Sequence, residues 1–165
     1  MPNTKPFDIP AAIAYSNQWA LSRNPRYYNF DSIGGDCTNF ISQCLYAGSG
    51  VMNPKPTLGW YYYSINSRSP SWTSVNYLYN FLTTNKTKGP YAYPITFSDL
   101  QKGDLIQLMN FTGAYYHTLL VVDIIGETEP GNILINAHDI DSYRRPLATY
   151  QYASLRCLRI GGVYL

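Results

Sequence analysis

The most informative feature of this sequence is that helix signals fill its first half and strand signals its second half, with the change at Gly89-Pro90. Before that point, capping residues and helical spacing of apolar side chains predict three helices, at residues 8–22, 36–45 and 75–82. A long aromatic loop is expected over residues 52–70. Afterwards, short apolar runs separated by turns predict strands at 105–109, 117–125, 132–138, 144–152 and 155–160. Helices followed by hairpin-connected strands indicate an α+β fold.

Composition narrows the function classes. A chain of 165 residues without repeats or linkers predicts one domain spanning residues 1–165. Only 13% of the residues are charged and the net charge is +2, with no basic block, which argues against binding nucleic acid through its phosphates. No apolar run approaches the ~20 residues of a membrane helix. The N-terminal residues carry no apolar core of the kind found in secretion signals.

Several common chemical motifs are missing. The sequence contains no CxxC pair, no HExxH, no phosphate-binding loop and no strand-placed GxGxxG. Its two histidines, with Cys37 or an aspartate, could supply zinc ligands by number, but their spacing does not support a zinc site. We therefore expect neither a metal nor an organic cofactor.

Cys37 and His117 are the candidates for covalent catalysis. Cys37 follows Asp36 at the start of a predicted helix, where unpaired N–H groups should lower the pKa of its thiol. The preceding glycines, Gly34-Gly35, would leave the sulfur accessible. His117 opens an otherwise apolar strand and could act as the base for this thiol. Alternatively, the cysteine simply fills the core and the histidine is an ordinary buried group.

A third residue is expected to orient His117, as in cysteine-protease triads. Asn136 and His138 lie two residues apart on the next strand and so share a face, which a hairpin would bring beside His117. Asp139 should point the other way. Either Asn136 or His138 fits this role.

The segment Gly35–Gln43 (GDCTNFISQ) resembles the GDCTNFxSQ motif of the bacterial putative amidase domain family, a relative of the NlpC/P60 and CHAP peptidases in the papain-like superfamily. The resemblance continues in order along nearly the whole chain. Its further segments are Ala14-Tyr15, Ser71–Thr73, Asp99–Leu105, His117, Ala137–Asp139 and Arg145–Leu147.

The resemblance implies a papain-like, NlpC/P60-type α+β fold, with helices packed on a C-terminal antiparallel sheet. It implies a cysteine amide hydrolase that acts on peptidoglycan peptides, with Cys37 as nucleophile and His117 as general acid/base. It favours His138 over Asn136 as the third residue. Members commonly belong to secreted, wall-directed proteins, and we expect a monomer.

The remaining site candidates are an oxyanion hole and a substrate groove. The Cys37 backbone N–H, with the hydroxyl of Tyr27 or Tyr28, could bind the oxyanion, while the groove candidates are Asp36, Trp60 and Tyr116. Two alternatives stay open. The chain could be an inactive module that stacks the aromatic run Trp60–Tyr63 on sugars of the cell wall, or an acyl transferase of the same fold.

Overall fold

The computed structural model describes all 165 residues, Met1–Leu165. It is a mixed α/β fold with few helices. These are α1 (Ile9–Trp19), α2 (Cys37–Ser49), α3 (Pro70–Thr73) and α4 (Val75–Thr84). No helix combines the length and apolarity needed to cross a membrane.

The strands lie mostly in the second half of the chain, as the sequence predicts. Their bounds are β1 (Thr4–Lys5), β2 (Tyr62–Ser64), β3 (Ser67–Arg68), β4 (Gly89–Ile95), β5 (Leu105–Met109), β6 (Tyr115–Ile124), β7 (Ile133–Ala137), β8 (Ser142–Pro146) and β9 (Ser154–Tyr164). The expected loop over residues 52–70 contains the small β2–β3 hairpin. The expected strand over residues 144–152 is shorter, because a 3₁₀ turn at Leu147–Thr149 follows β8.

One antiparallel sheet organises the molecule. Its order is β1-β9-β5-β6-β7-β8, and β4 also pairs with β9. The long strand β9 has β4 along one edge, while β5 and β1 share the other edge. Strand β4, which the sequence did not predict, therefore extends the sheet beyond β9.

The helix ends follow local chemistry. The carboxylate of Asp8 accepts a hydrogen bond from the Ala11 backbone N–H at 3.0 Å and caps α1. Helix α1 ends at Trp19, three residues before the predicted end. Helix α2 ends at Ser49 and is capped by Gly50, whose φ of 65° lies in the left-handed region that glycine tolerates without a Cβ clash.

The two faces of the sheet belong to two separate hydrophobic clusters, because successive side chains of a strand point to opposite faces. Leu120 and Val122 belong to the cluster that packs against the helices, whereas Leu119 and Val121 belong to the second cluster. The first cluster contains the indoles of Trp60 and Trp72, which are tilted by 32° to each other with ring centroids 4.7 Å apart. Both faces of β6 are therefore buried, which fixes this strand firmly behind the site.

Candidate active site

Cys37 is the first residue of α2 and lies against the end of β6. Its side chain is almost completely buried, with the residue 5% exposed. The Sγ atom is 3.7 Å from the Thr38 hydroxyl and 3.9 Å from the Tyr116 carbonyl oxygen. Thr38 in turn contacts the Thr118 hydroxyl at 3.0 Å, which joins the helix start to β6. The thiol is thus held at the junction of the two elements.

His117 lies on β6 beside this thiol, together with a residue that the sequence reasoning missed. The Sγ of Cys37, a ring nitrogen of His117 and a carboxylate oxygen of Asp139 all lie within 4.8 Å of one another. The imidazole is 4% exposed and is flanked by the rings of Tyr116 and Tyr150, at centroid distances of 5.8 and 5.6 Å. The structure therefore brings together a thiol, an imidazole and a carboxylate.

Asp139 reaches the site from a tight turn between β7 and β8. Its φ of 64° and the φ of 67° at Ile140 give two consecutive left-handed residues, as a primed β-hairpin turn requires. Its Oδ1 accepts a hydrogen bond from the Asp36 backbone N–H at 2.7 Å. A Cβ on Gly35 would lie 2.5 Å from Oδ2, so glycine is needed for this approach.

A β-bulge explains why the sequence pointed to the wrong neighbours of His117. Close to the hairpin, Ile124 pairs with Ile133 and Asp123 with Leu134, but Val121 pairs with Ile135 because β6 holds one extra residue at Val122. A regular ladder would have put Asn136 and His138 on the face of His117. The shift by one residue turns Asn136 and His138 to the opposite face of the sheet from His117. If the pairing of Leu120 with Asn136 is continued to the end of the strand, Asp139 lies opposite His117.

His138 faces the helices instead, and the expectation that it orients His117 is corrected. Its Nδ1 contacts the Asp36 carboxylate, its Nε2 lies 2.8 Å from the Trp19 carbonyl oxygen, and its ring stacks on Phe40 at 3.8 Å. With both ring nitrogens occupied, His138 has no nitrogen left for His117. Its contacts tie α1, α2 and the β7–β8 turn together.

Asn136, the alternative third residue, is also directed to α1. Its side-chain nitrogen donates to the Ser16 hydroxyl and to the Asn17 side-chain oxygen, each at 2.8 Å. Its side-chain oxygen accepts from the Arg144 backbone N–H at 2.8 Å. All its polar atoms are therefore engaged away from His117.

Two of the expected groove residues are buried. Asp36 is 0% exposed: one carboxylate oxygen accepts from the Phe30 backbone N–H at 2.9 Å, and the other faces His138. Trp60 is also 0% exposed and donates its indole N–H to the Ser42 hydroxyl. Neither can line a groove. Tyr116 does line a pocket beside His117, and its hydroxyl donates to the Gln151 carbonyl oxygen at 3.2 Å.

The tyrosines expected at the oxyanion are held by other contacts. Tyr27 packs against Tyr62 at a centroid distance of 5.1 Å, and burial raises the pKa of its hydroxyl. Tyr28 packs edge-on against Phe30, also at 5.1 Å. The backbone N–H of Cys37 remains the oxyanion candidate that adjoins the sulfur.

The electrostatics of the site favour uncharged forms. Burial, with the nearby Asp139 carboxylate, raises the pKa of Cys37 to about 12, which reverses the lowered value expected from the helix N-terminus. Burial lowers the pKa of His117 to about 4, although Asp139 acts in the opposite direction. A neutral thiol beside a neutral imidazole is therefore the resting state over most of the pH range.

The three cysteines are all free and buried. Cys44 belongs to the cluster beneath the helices and Cys157 to the second cluster, so both fill the core. Only Cys37 stands beside a histidine and a carboxylate. The group formed by Cys37, His117 and Asp139 also matches a set of three metal ligands, since thiolate, imidazole and carboxylate all bind Zn²⁺.

A pocket of about 390 Å³ opens beside His117 and Asp139. Its other lining residues are Tyr116, Ile140, Arg145, Thr149, Tyr150 and Gln151. A substrate that enters this pocket would meet the imidazole and the carboxylate first, because Cys37 is not among the lining residues.

A thiol, an imidazole and a carboxylate that lie together beside a pocket are the kinds of group that hydrolases use in catalysis. The comparison with known families agrees, since residues 7–160 match the family described as "Putative amidase domain". The chain belongs to this family, which assigns it at a coarse level to the hydrolases that act on amides.

The chain is also similar to a protein of Bacillus subtilis (strain 168) described as "Uncharacterized protein YhbB". The two are 33% identical over an alignment of 142 residues, and the match covers 84% of this chain and 43% of the relative. The chain thus spans less than half the length of that protein. No solved structure matches the chain.

Proposed function

We propose that the chain is a cysteine amide hydrolase in which Cys37 is the nucleophile, His117 the general acid/base and Asp139 the residue that stabilises the imidazolium. The observation that carries this proposal is the approach of these three polar groups to within 4.8 Å of one another beside a pocket. A papain-like, NlpC/P60-type architecture is part of the proposal, because a helix starting at the cysteine packs against an antiparallel sheet that carries the histidine.

Because Cys37 and His117 are both uncharged before substrate binds, the thiol must lose its proton during the attack. As Sγ attacks the amide carbonyl carbon, the thiol proton passes to His117 and the oxyanion forms beside the Cys37 backbone N–H. The imidazolium then donates this proton to the leaving amine, and the C–N bond breaks to give a thioester. Water adds to the thioester with His117 as base, which releases a carboxylic acid and restores the thiol.

Asp139 supports the charged intermediate. Its carboxylate raises the pKa of His117 against the effect of burial, so it favours the imidazolium at the moment when the proton arrives. The same charge disfavours a thiolate before substrate binds. The geometry thus suits proton transfer that accompanies attack rather than a preformed ion pair.

The proposed substrates are the peptide amide bonds of peptidoglycan, as the family resemblance implies. The test is digestion of purified peptidoglycan, with mass spectrometry of released peptides and amines. Cys37→Ala, His117→Ala and Asp139→Ala should each abolish release, and Asn136→Ala should retain it if the protein stays folded. Retained release in Cys37→Ala would overturn the nucleophile assignment. Added amines that are incorporated into the products would indicate acyl transfer.

A metal-dependent hydrolase is the second candidate, because the same three groups could hold Zn²⁺ and leave a fourth position for water. The two readings differ in their response to reagents. Dialysis against a chelator should leave a cysteine hydrolase active and should inactivate a zinc enzyme, with activity restored by added Zn²⁺. Iodoacetamide modification of Cys37 distinguishes them further, since a metal-bound thiolate is protected until the metal is removed.

A further inference from the structure

Arg145 is the one arginine among the residues that line the pocket beside His117. It lies at the β8 end of this pocket, where its positive charge helps to lower the pKa of His117. The cation is therefore close enough to the site to act on a bound substrate.

Contacts with β8 and with the 3₁₀ turn that follows it hold the guanidinium of Arg145 in place. Its Cζ atom lies 3.6 Å from the ring centroid of Tyr150, and Nε donates to the Thr149 hydroxyl at 2.6 Å. One Nη2 hydrogen goes to the Thr149 carbonyl oxygen at 3.1 Å, and one Nη1 hydrogen to the Ser142 hydroxyl at 3.4 Å. Such preorganisation reduces the entropy lost when a ligand is bound.

The guanidinium has spare donors and no acidic partner. Each of Nη1 and Nη2 keeps one unused hydrogen, and no carboxylate of the chain lies within 4 Å of Arg145, whereas the adjacent Arg144 pairs with Asp123 at 2.9 Å. A planar pair of donors is the arrangement that a carboxylate binds with two hydrogen bonds.

We propose that this pocket binds a carboxylate of the substrate through Arg145, so that the hydrolase prefers amides that carry a free carboxyl group near the scissile bond. The proposal rests on the function proposed above. The rings of Tyr116 and Tyr150 would contact the aliphatic part of the substrate between the carboxylate and the amide. The Asp139 carboxylate would repel the substrate's negative charge from the reacting end, which fixes the orientation.

Two small alkylating reagents test this without knowledge of the natural substrate. N-Iodoacetyl-glycine and its amide, N-iodoacetyl-glycinamide, differ only in a carboxylate in place of a carboxamide, set one amino acid away from the reacting carbon. Peptide mapping resolves the alkylation of Cys37 from that of the other cysteines. Each rate is divided by the rate with free glutathione, and the ratio of the carboxylate reagent to the carboxamide reagent is compared between variants. The Arg145→Gln variant should lower this ratio roughly tenfold, as expected for loss of a charged hydrogen-bond pair.

Arg144→Gln is the matched control, since it removes a cation one position away that is already paired outside the pocket. It should keep the wild-type ratio, and Arg145→Lys should give an intermediate one, because it keeps the charge and loses the fork. Thermal melting checks that each variant is folded. An equal ratio in wild type and in both Arg145 variants would overturn the carboxylate pocket and leave the nucleophile standing. If neither reagent labels Cys37, the nucleophile assignment fails and this proposal fails with it.

Discussion

Asp139 couples the two groups that we propose to react, because its carboxylate lies within 4.8 Å of both the Cys37 sulfur and a His117 ring nitrogen. Its negative charge raises the pKa of both groups. On the cysteine this opposes formation of a thiolate, and on the histidine it supports the imidazolium. Its removal should therefore separate the reactivity of the thiol from catalysis.

Replacing Asp139 with asparagine should make Cys37 more reactive and the enzyme less active. Without the carboxylate, the pKa of Cys37 falls below its value of about 12, so alkylation by iodoacetamide at pH 9 should be severalfold faster. Turnover of amides should fall at least tenfold, since the imidazolium loses its partner. Asp141→Asn, two residues away, is the control. Slower alkylation in Asp139→Asn would contradict the assigned effect of the charge.

Ile140 carries backbone strain beside the site. A β-branched residue at φ 67° is a marked exception to the conformations of L-amino acids, and its side chain is 82% exposed, so little burial compensates for the strain.

Ile140→Gly should therefore raise the free energy of unfolding by about 1 kcal/mol, measured by urea denaturation, since relief of the strain exceeds the added flexibility of the unfolded chain. The comparison is Ile125→Gly at another exposed isoleucine, whose φ is not positive and which should lose stability. If Ile140→Gly is less stable than wild type, the turn is not strained in the way proposed.

At the scale of elements, the site depends on the approach of the loop before α2 to the β7–β8 turn. Gly34 and Gly35 both have positive φ, at 79° and 97°, but only Gly35 faces the Asp139 carboxylate. A Cβ on Gly34 would meet nothing within 4 Å. The two positions therefore share a backbone conformation that would strain any other residue, and they differ in their contact with the site.

Gly35→Ala should reduce turnover by at least tenfold more than Gly34→Ala does. Each change costs about 1–2 kcal/mol of stability, because alanine is strained in the left-handed region. Only the change at Gly35 should also displace Asp139 from Cys37 and His117. Steady-state kinetics alongside thermal melting compare the two variants. Equal losses of activity would show that the Asp139 contact has no part in catalysis.

At the scale of the whole molecule, the buried imidazole of His117 links folding to pH. Its pKa is about 4 in the folded chain, below the roughly 6.5 of an exposed histidine. Between these values the unfolded chain binds a proton that the folded chain does not. Stability should therefore rise with pH across this window and fall as pH drops from about 6.5 to 4.

We expect His117→Gln to remove about 2 kcal/mol of this dependence between pH 4.5 and pH 7, because glutamine does not titrate. The measurement is the free energy of unfolding by urea at pH 4.5 and at pH 7. Wild type should lose more stability between these conditions than the variant does. The same loss in both proteins would mean that other groups cause the dependence.

The sequence by itself determined that helices fill the first half of the chain and strands the second, and it singled out two of the three residues that we propose to react. Helical spacing and the cap at Asp36 locate the start of α2, and with it Cys37, because local signals set helix ends. The apolar run after His117 predicts β6 through the pattern of a buried strand. These features depend on residues close together in the chain, which is why they could be predicted.

Only the tertiary structure decided which carboxylate lies beside Cys37 and His117. The extra residue at Val122 exchanges the faces of the β6–β7 ladder, and the left-handed turn at Asp139 and Ile140 aims the carboxylate at the thiol. Neither feature has a signal in the sequence, since Val122 fits a regular strand and isoleucine disfavours positive φ. Burial likewise overrode the helix N-terminus in setting the pKa of Cys37, because desolvation depends on packing from the whole chain.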